Sequence, residues 1–244
     1  MRNGDEMKLF SILGDSVSTF EGYSEPKDGV YYDMARKISA RMCSVLDTWW
    51  GKVVSKLNGE ILVNYSISGA SVCCLPAHKV EIYGCSDKST SSLHKGEKSP
   101  AVIIVFLGAN DWGMGVRVKP SRGLNGERER GNLSYFAFAY EAMLKKLKNN
   151  YPNAEIWCMT LPVTYCSMVQ EFSFPDSIAG RHISEYCETI CETAKNCGCR
   201  VIDIYSPNDR CKQFDTIDGF HFNAEGMENL ANVIFREIQE GIDV

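Results

Sequence analysis

Short apolar runs alternate with segments of helical periodicity along the chain. Runs bounded by turn residues predict buried strands over residues 9–13, 61–67, 101–107, 154–160 and 200–204. Apolar residues at helical spacing predict helices over residues 49–57, 133–150, 183–197 and 224–239. Asp47 precedes the first of these helices and is predicted as its cap. Every position of 101–107 is apolar, which indicates a strand covered on both faces.

Strands that alternate with helices predict βαβ units with right-handed crossovers. The sequence therefore predicts one α/β domain over residues 1–244, with a mostly parallel sheet of about five strands and helices on both faces. In such sheets, ligands bind outside the carboxyl ends of the strands. Ser16, Gly69 and Asn110 follow the first, second and third predicted strands, so we expect all three on one rim of the sheet.

The composition narrows the class of function. The 31 acidic residues outnumber the 26 basic ones, so the chain has no broad basic surface for nucleic acid. No apolar run reaches the roughly 18 residues that a membrane span needs. The first residues lack the apolar stretch of a signal peptide, so we expect a cytoplasmic protein. In that compartment the eleven cysteines are expected as reduced thiols rather than as disulfides.

Four cysteines at short spacings are the candidate metal ligands: Cys187, Cys191, Cys197 and Cys199. They lack the paired CxxC spacing and the nearby histidine that a zinc site needs. We interpret them as small buried apolar side chains, and we expect neither a metal nor another cofactor.

The first predicted strand breaks into a short turn that displays the hydroxyl of Ser16. A serine hydroxyl becomes a good nucleophile only when a base accepts its proton, so a catalytic Ser16 needs a histidine on the same rim. His221 follows the last predicted strand, and Asp218 is close enough to hydrogen-bond one of its ring nitrogens and leave the other facing Ser16. Taken alone, residues 218–223 also fit a turn into the last helix, with Asn223 as its cap.

Asn110 is a candidate on the same rim for stabilising the negative charge that forms during the reaction. Acyl transfer builds negative charge on a carbonyl oxygen, and each fixed donor aimed at that oxygen is worth roughly 10²–10³ in rate. The side-chain amide of Asn110 and the backbone N–H groups of Ser16 and Gly69 supply three such donors. Glycine at position 69 permits a close backbone approach that a side chain would block.

Four short segments together resemble the SGNH-hydrolase superfamily, also called the GDSL esterases and lipases. They are Gly14-Asp15-Ser16, Gly69, Gly108-Ala109-Asn110-Asp111 and Asp218-Gly219-Phe220-His221. They stand in the family's order and span nearly the whole chain. The resemblance implies a flavodoxin-like three-layer α/β/α fold and ester hydrolysis through an acyl-enzyme without a metal. It assigns Ser16 as nucleophile, His221 as general base and acid, and Asp218 as its orienter, with Ser16, Gly69 and Asn110 as the oxyanion hole.

Three further positions refine this resemblance. Asp15 and Asp111 match the family's motifs, and we expect them to brace turns rather than to take part in the chemistry. Phe222 departs from the pattern, because the family often has proline after the histidine. An α/β-hydrolase is a poorer match, since the serine turn lacks the second glycine of GxSxG and the acidic residue lies too close to the histidine.

We expect a carboxylic-ester hydrolase for short acyl groups, acting on an O-acetylated carbohydrate or another small polar ester. Tyr23, Trp112 and Tyr165 lie in loops predicted near the rim, and their rings offer faces for a sugar or walls for an acyl pocket. A lysophospholipase or thioesterase is an alternative that a wide apolar groove would favour. An acyltransferase, which uses the same acyl-enzyme, also fits these residues, as does a catalytically silent binding module on the same scaffold.

Overall fold

The computed structural model describes residues 7–74, 83–120, 132–166, 172–173, 177–205 and 214–240, with the backbone alone at 165–166 and 172–173. Within these ranges the chain forms ten strands. They are β1 (Lys8–Gly14), β2 (Ser24–Glu25), β3 (Gly59–Ser66), β4 (Val102–Phe106), β5 (Glu155–Met159), β6 (Tyr165–Cys166), β7 (Phe172–Ser173), β8 (Ser177–Ile178), β9 (Arg181–His182) and β10 (Arg200–Ile202).

Six of these strands build one central sheet in the order β10-β5-β4-β1-β3-β2, and every neighbouring pair is parallel. The predicted parallel α/β fold is therefore confirmed. The sheet has one strand more than the five predicted, because the two-residue β2 pairs with the outer edge of β3. The strand order reverses beside β1, which lies between β3 and β4. In α/β sheets the crevice at such a reversal is where ligands bind.

Helices connect the strands or follow them. Those of the described ranges are α1 (Met34–Ser39), α2 (Trp49–Lys56), α3 (Asp87–Ser91), α4 (Ala109–Gly113), α5 (Phe136–Asn150), α6 (Ile183–Asn196) and α7 (Ala224–Glu240). α2 packs against α7, and α5 packs against α3 and α6. Right-handed crossovers place these two groups on opposite faces of the sheet, which gives the three layers. None of the described helices has both the length and the apolar character needed to cross a bilayer.

The core lies between the sheet and its two helical layers. All five residues of β4 are buried, as its continuous apolar sequence predicts. Trp49 and Trp50 at the start of α2 are fully buried as well. The central strands are therefore held from both faces, and their carboxyl ends form a rigid base for the turns that follow them.

The prediction that Asp47 caps α2 is wrong. The hydroxyl of Thr48 accepts the N–H of Gly51 at 3.0 Å and caps this helix. Asp47 instead accepts the N–H groups of Cys43 and Ser44 at 2.7 and 2.8 Å, and so closes the preceding 3₁₀ turn. The extra turn moves the start of the helix beyond the reach of Asp47.

Candidate active site

Ser16 follows β1 on a tight turn that the residues before it shape. The side chain of Asp15 accepts the N–H of Val17 at 3.1 Å and opens the 3₁₀ turn Ser16–Ser18. A Cβ atom at Gly14 would lie 2.6 Å from Ser18 Oγ, so only glycine lets the turn close. Ser16 thus lies at the carboxyl end of β1, with 3% of its surface exposed.

His221 lies on the loop that precedes α7. Asp218 Oδ1 shapes this loop by accepting the N–H groups of Phe220 and His221 at 3.0 and 2.8 Å. The other oxygen, Asp218 Oδ2, lies 2.7 Å from His221 Nδ1, and His221 Nε2 lies 2.9 Å from Ser16 Oγ. The structure thus joins Asp218, His221 and Ser16 in one chain of hydrogen bonds.

The charge of Asp218 decides which ring nitrogen of His221 carries the proton. Burial by itself raises the pKa of this carboxyl, but the hydrogen bonds and charge of His221 outweigh it and hold the pKa well below its usual range. An ionised carboxylate only accepts hydrogen bonds, so Nδ1 carries the proton. Nε2 is then free to accept the hydrogen bond of the Ser16 hydroxyl, as a general base must.

Gly69 lies on the turn that follows β3, and Asn110 lies in the first turn of α4, directly after β4 and at the same rim. Gly69 has a φ of +79°, a backbone conformation that glycine adopts without strain. Among the described residues, the backbone N–H groups of Ser16 and Gly69 have no hydrogen-bond partner. Nδ2 of Asn110 donates to the carbonyl of Ala70 at 2.9 Å and lies 3.4 Å from Asp15 Oδ2. The Asn110 amide therefore links the three turns that carry the predicted oxyanion donors.

Two buried carboxyl groups brace these turns, as the sequence predicts. Asp111 accepts the N–H groups of Val72 and Cys73 at 2.7 and 2.9 Å, which ties α4 to the segment after β3. Burial raises the pKa of Asp111 to about 6 in spite of these hydrogen bonds. Burial and the nearby charge of Asp111 raise the pKa of Asp15 to about 7, against its own backbone hydrogen bonds.

These two carboxyl groups make the folded protein more stable in mild acid. Their pKa values are raised above the ordinary 3.8, so the folded state binds their protons more tightly than the unfolded chain does. The resulting stabilisation is complete below pH 3.8 and is lost as the pH rises through about 6 to 7. We expect the unfolding free energy to fall by on the order of 2 kcal/mol between about pH 5 and about pH 8.

Urea unfolding at the two pH values measures this change. Asp15→Asn, which keeps an oxygen for the N–H of Val17, should remove much of the pH dependence. The matched control is Asp28→Asn, because Asp28 is exposed in a nearby loop. A wild-type protein that is equally stable at both pH values contradicts the prediction.

A small apolar cavity adjoins the serine turn and the histidine loop. Its volume is about 20 Å³, and its walls include Val17, Ala109, Trp112, Leu161, Ile183 and Phe220. On this scale one water molecule needs roughly 10–15 Å³, so the cavity admits a group little larger than a methyl. Trp112 is only 3% exposed, and its Nε1 donates to the carbonyl of Arg181 at 3.0 Å. The structure therefore places Trp112 as a fixed wall beside the site.

Of the other two candidate substrate-binding residues, the structure places Tyr23 away from this cavity. Tyr23 is 51% exposed and lines a separate groove along β3, where its ring centroid lies 6.3 Å from that of Trp50. Ser16, Asp218 and His221 do not line that groove. Tyr165 belongs to β6, and its side chain lies outside the described residues.

None of the four cysteines considered as metal ligands lines this cavity. Cys187 and Cys191 belong to α6, and Cys197 and Cys199 lie in the turn between α6 and β10. The nine cysteines whose side chains the structure describes are free thiols. Burial raises the pKa of the Cys187 thiol, which favours its uncharged form. In the described part of the chain, no three His, Cys, Asp or Glu side chains are arranged to hold a metal ion.

Phe222, at the position where the resemblance leads one to expect proline, contributes to the histidine loop. Its buried ring packs edge-on against Phe214 with the centroids 6.1 Å apart. Its carbonyl accepts the hydroxyl of Tyr32 at 2.8 Å. The ring and the carbonyl of Phe222 thus each hold the histidine loop in place.

Tyr31 also belongs to the site, although nothing in the sequence pattern indicates it. Its ring stacks on the imidazole of His221, and its hydroxyl donates to Asp218 Oδ2 at 2.8 Å. The residue lies in a segment without helical or strand periodicity, where a tyrosine gives no sign of what it contacts.

A parallel α/β sheet with serine, histidine and aspartate hydrogen-bonded in series at its carboxyl edge is an arrangement typical of serine hydrolases. The sequence model of the GDSL-like lipase/acylhydrolase family matches residues 8–171. The chain belongs to this family, and it is a carboxylic-ester hydrolase. No match to a curated protein is found.

Solved structures of similar fold come from several organisms. A protein of Bacteroides ovatus named as a GDSL-like lipase superposes with a TM-score of 0.71 at 24% identity, over 97% of this chain and 100% of that one. A second such protein, from Bacteroides uniformis, gives a TM-score of 0.68 at 24% identity, over 98% and 97% of the two chains. A family 2 carbohydrate esterase with a carbohydrate-binding domain, from Myceliophthora fergusii, gives 0.62 at 12% identity, over 100% and 69%. At these identities the likeness shows the fold.

Proposed function

We propose that this chain is a serine esterase that removes short acyl groups, acetyl above all, from a carbohydrate or another small polar ester. The observation that carries the proposal is the unbroken hydrogen-bond chain from Asp218 through His221 to Ser16. It lies beside two backbone N–H donors that have no partner within the described ranges. The hydrogen-bond chain holds the proposed base, His221, within reach of the Ser16 hydroxyl.

His221 Nε2 takes the proton of Ser16 as Oγ forms its bond to the ester carbonyl carbon. The carbonyl oxygen becomes an oxyanion and accepts hydrogen bonds from the N–H groups of Ser16 and Gly69. The C–O bond to the alcohol then breaks, and His221 delivers its proton to the departing oxygen. Water repeats the sequence on the acyl-enzyme and releases the acid, so Ser16 and His221 return to their starting states.

Asn110 is the third oxyanion donor in this proposal. One hydrogen of its Nδ2 is held by the carbonyl of Ala70, and the other is directed only weakly to Asp15, at 3.4 Å. The second hydrogen is therefore the one that turns to the oxyanion. Protonation of Asp15 weakens the competing contact further, because its carboxyl loses its charge.

The proposed acyl preference follows from the cavity that Trp112, Leu161 and Ile183 help to form. A cavity of about 20 Å³ holds the methyl of an acetyl group, and longer chains must displace buried side chains. A lysophospholipase or thioesterase would need a long apolar groove at this place. The intact hydrogen-bond chain argues against a silent binding module.

The proposed alcohol half of the ester is a polar group. The fold is shared with carbohydrate esterases such as the family 2 enzyme of Myceliophthora fergusii, which makes an O-acetylated sugar a reasonable first substrate to test. The small apolar cavity holds only the acyl half of the ester in this proposal, so the alcohol half lies on the open side of the rim.

Hydrolysis of p-nitrophenyl esters of increasing chain length tests the acyl preference. We expect kcat/KM to fall by about tenfold or more from acetate to butyrate, because each added methylene overfills a closed pocket. Leu161→Ala enlarges the cavity and should shift the preference toward butyrate. Leu147→Ala, a matched truncation in the buried face of α5, should lower stability in the same way and leave the preference unchanged.

Two outcomes would count against the proposal. Preference of the wild type for long chains would favour a lysophospholipase or thioesterase. Release of acetate only when an alcohol acceptor is added, with the acyl group recovered on that alcohol, would identify an acyltransferase.

A further inference from the structure

We propose that Tyr31 is a positioning residue for the Asp218–His221 pair, which holds the imidazole plane and moderates the charge of the carboxylate. This inference rests on the proposed function of the Ser16 site and extends it to a residue outside the family's motifs. Tyr31 touches both the histidine and the aspartate, whereas the substrate lies on the Ser16 side of the ring.

The first contact is a stack of two rings. The ring centroids of Tyr31 and His221 are 3.4 Å apart, and the ring planes differ by 10°. The imidazole therefore has a flat wall along one face, and rotation about its side-chain bonds would drive it into that wall. Phe220 and Tyr32 meet the imidazole edge-on, with centroids 5.1 and 6.4 Å away. The stack thus confines the ring to the plane in which Nε2 faces Ser16.

The second contact is a hydrogen bond to the carboxylate. The Tyr31 hydroxyl donates to Asp218 Oδ2 at 2.8 Å, and the same oxygen accepts from His221 Nδ1 at 2.7 Å. Burial and the hydrogen bond to Asp218 raise the pKa of Tyr31, so its hydroxyl keeps its proton and remains a donor. A donor on this oxygen withdraws part of the negative charge that stabilises a protonated His221.

The backbone around Tyr31 connects the two loops of the site. Its N–H donates to Thr19 Oγ1 at 2.9 Å, and the hydroxyl of Thr19 donates to the carbonyl of Ser16 at 2.8 Å. The next residue, Tyr32, donates its hydroxyl to the carbonyl of Phe222 at 2.8 Å. Residues 31 and 32 therefore hold the serine turn and the histidine loop in one geometry, although these lie 205 residues apart.

Arg36 completes the stack on the side away from His221. Its guanidinium carbon lies 4.8 Å from the centre of the Tyr31 ring, and its Nη1 pairs with Asp33 at 2.8 Å. Among the residues that the structure describes, the titratable and charged groups in contact with His221 are Asp218, Tyr31 and Tyr32, with Arg36 behind Tyr31.

Two variants separate the contributions of the ring and the hydroxyl. Tyr31→Phe keeps the stack and frees the carboxylate, so the acid limb of the kcat/KM profile should move up by about half a pH unit, with kcat falling only a few-fold. Tyr31→Leu removes both contacts, so kcat should fall about tenfold to a hundredfold with little change in KM. Tyr31→Phe should therefore retain most of the kcat that Tyr31→Leu loses.

The matched control is Tyr151→Phe. The hydroxyl of Tyr151 also takes part in a buried hydrogen bond, in which it accepts the N–H of Leu93 at 2.8 Å. Tyr151 lies just before β5, at the opposite edge of the sheet from the site. This variant should lower stability and leave the pH profile of kcat/KM in place. A change that merely loosens the fold would behave like the control.

Proton NMR of the His221 Nδ1–H resonance gives a readout that does not need turnover. In Tyr31→Phe this resonance should move downfield, because the hydrogen bond to Asp218 strengthens. An unchanged resonance together with an unchanged acid limb overturns the role of the hydroxyl, and wild-type kcat in Tyr31→Leu overturns the role of the stack. If the wild type hydrolyses no ester, the proposed function fails. The resonance then still shows whether the Tyr31 hydroxyl acts on the Asp218–His221 pair.

Discussion

Ser16→Ala should lower kcat on p-nitrophenyl acetate by about 10⁴- to 10⁶-fold while leaving the protein as stable as the wild type. The substitution removes the only protein atom that forms a covalent bond to the acyl group in the proposed mechanism. It leaves the backbone N–H of residue 16, the turn and the cavity unchanged. Residual activity should then come from water attack assisted by the oxyanion donors. Steady-state kinetics and thermal unfolding on the same preparation measure both quantities.

Ser18→Ala is the matched control for this substitution. Ser18 lies in the same 3₁₀ turn, is fully buried, and its hydroxyl has no hydrogen-bond partner among the described residues. Removing that hydroxyl should preserve activity and should not lower stability, because no hydrogen bond is lost. If Ser16→Ala retains more than about a hundredth of wild-type kcat, Ser16 is not the nucleophile.

Asp218→Asn should lower kcat by about 10²- to 10⁴-fold through the wrong tautomer of His221. The amide oxygen keeps the backbone hydrogen bonds of Phe220 and His221, so the amide N–H₂ faces Nδ1. Nδ1 must then accept, which places the ring proton on Nε2 and turns that atom from an acceptor into a donor toward Ser16. The hydroxyl of Tyr31 loses its carboxylate acceptor as well.

The matched control for this variant is Asp28→Asn, which removes one exposed carboxylate from the loop before Tyr31. It should retain wild-type kcat at every pH. Should Asp218→Asn keep more than about a tenth of wild-type kcat, the pair of Ser16 and His221 is sufficient and Asp218 serves only to shape the loop.

The parallel sheet was predictable because a strand covered on both faces needs an apolar residue at each position. β4, which is apolar at every position, therefore stands out in the sequence, and both β4 and β5 lie within one residue of their predicted bounds. β2 was not predictable, since two residues carry no period. The cap of α2 was displaced by one residue because the sequence gives no sign of the 3₁₀ turn at Val45–Asp47.

The residues of the site also divide into those that the sequence predicted and those that it did not. Ser16, Gly69 and Asn110 were expected together, because parallel strands end at one edge and each residue directly follows such a strand. The contact of Asp218 with His221 was expected from their spacing of three residues. Tyr31 was not expected, because its two partners in the site, Asp218 and His221, are 187 or more residues away in the chain. The place of Tyr23 on a separate groove likewise depends on how α2 packs against β3.

By itself, the sequence determined the positions along the chain of five of the six sheet strands and of the four longest helices. It also indicated the rim on which the small-residue turns meet and the candidate residues for acyl-transfer chemistry. These follow from local periodicity and from residue types at the strand ends. Only the tertiary structure decided the size of the cavity beside Trp112, the raised pKa values of Asp15 and Asp111, and the stack of Tyr31 on His221. Each of these depends on how distant segments close over one another, because burial and contact between such segments leave no local pattern in the chain.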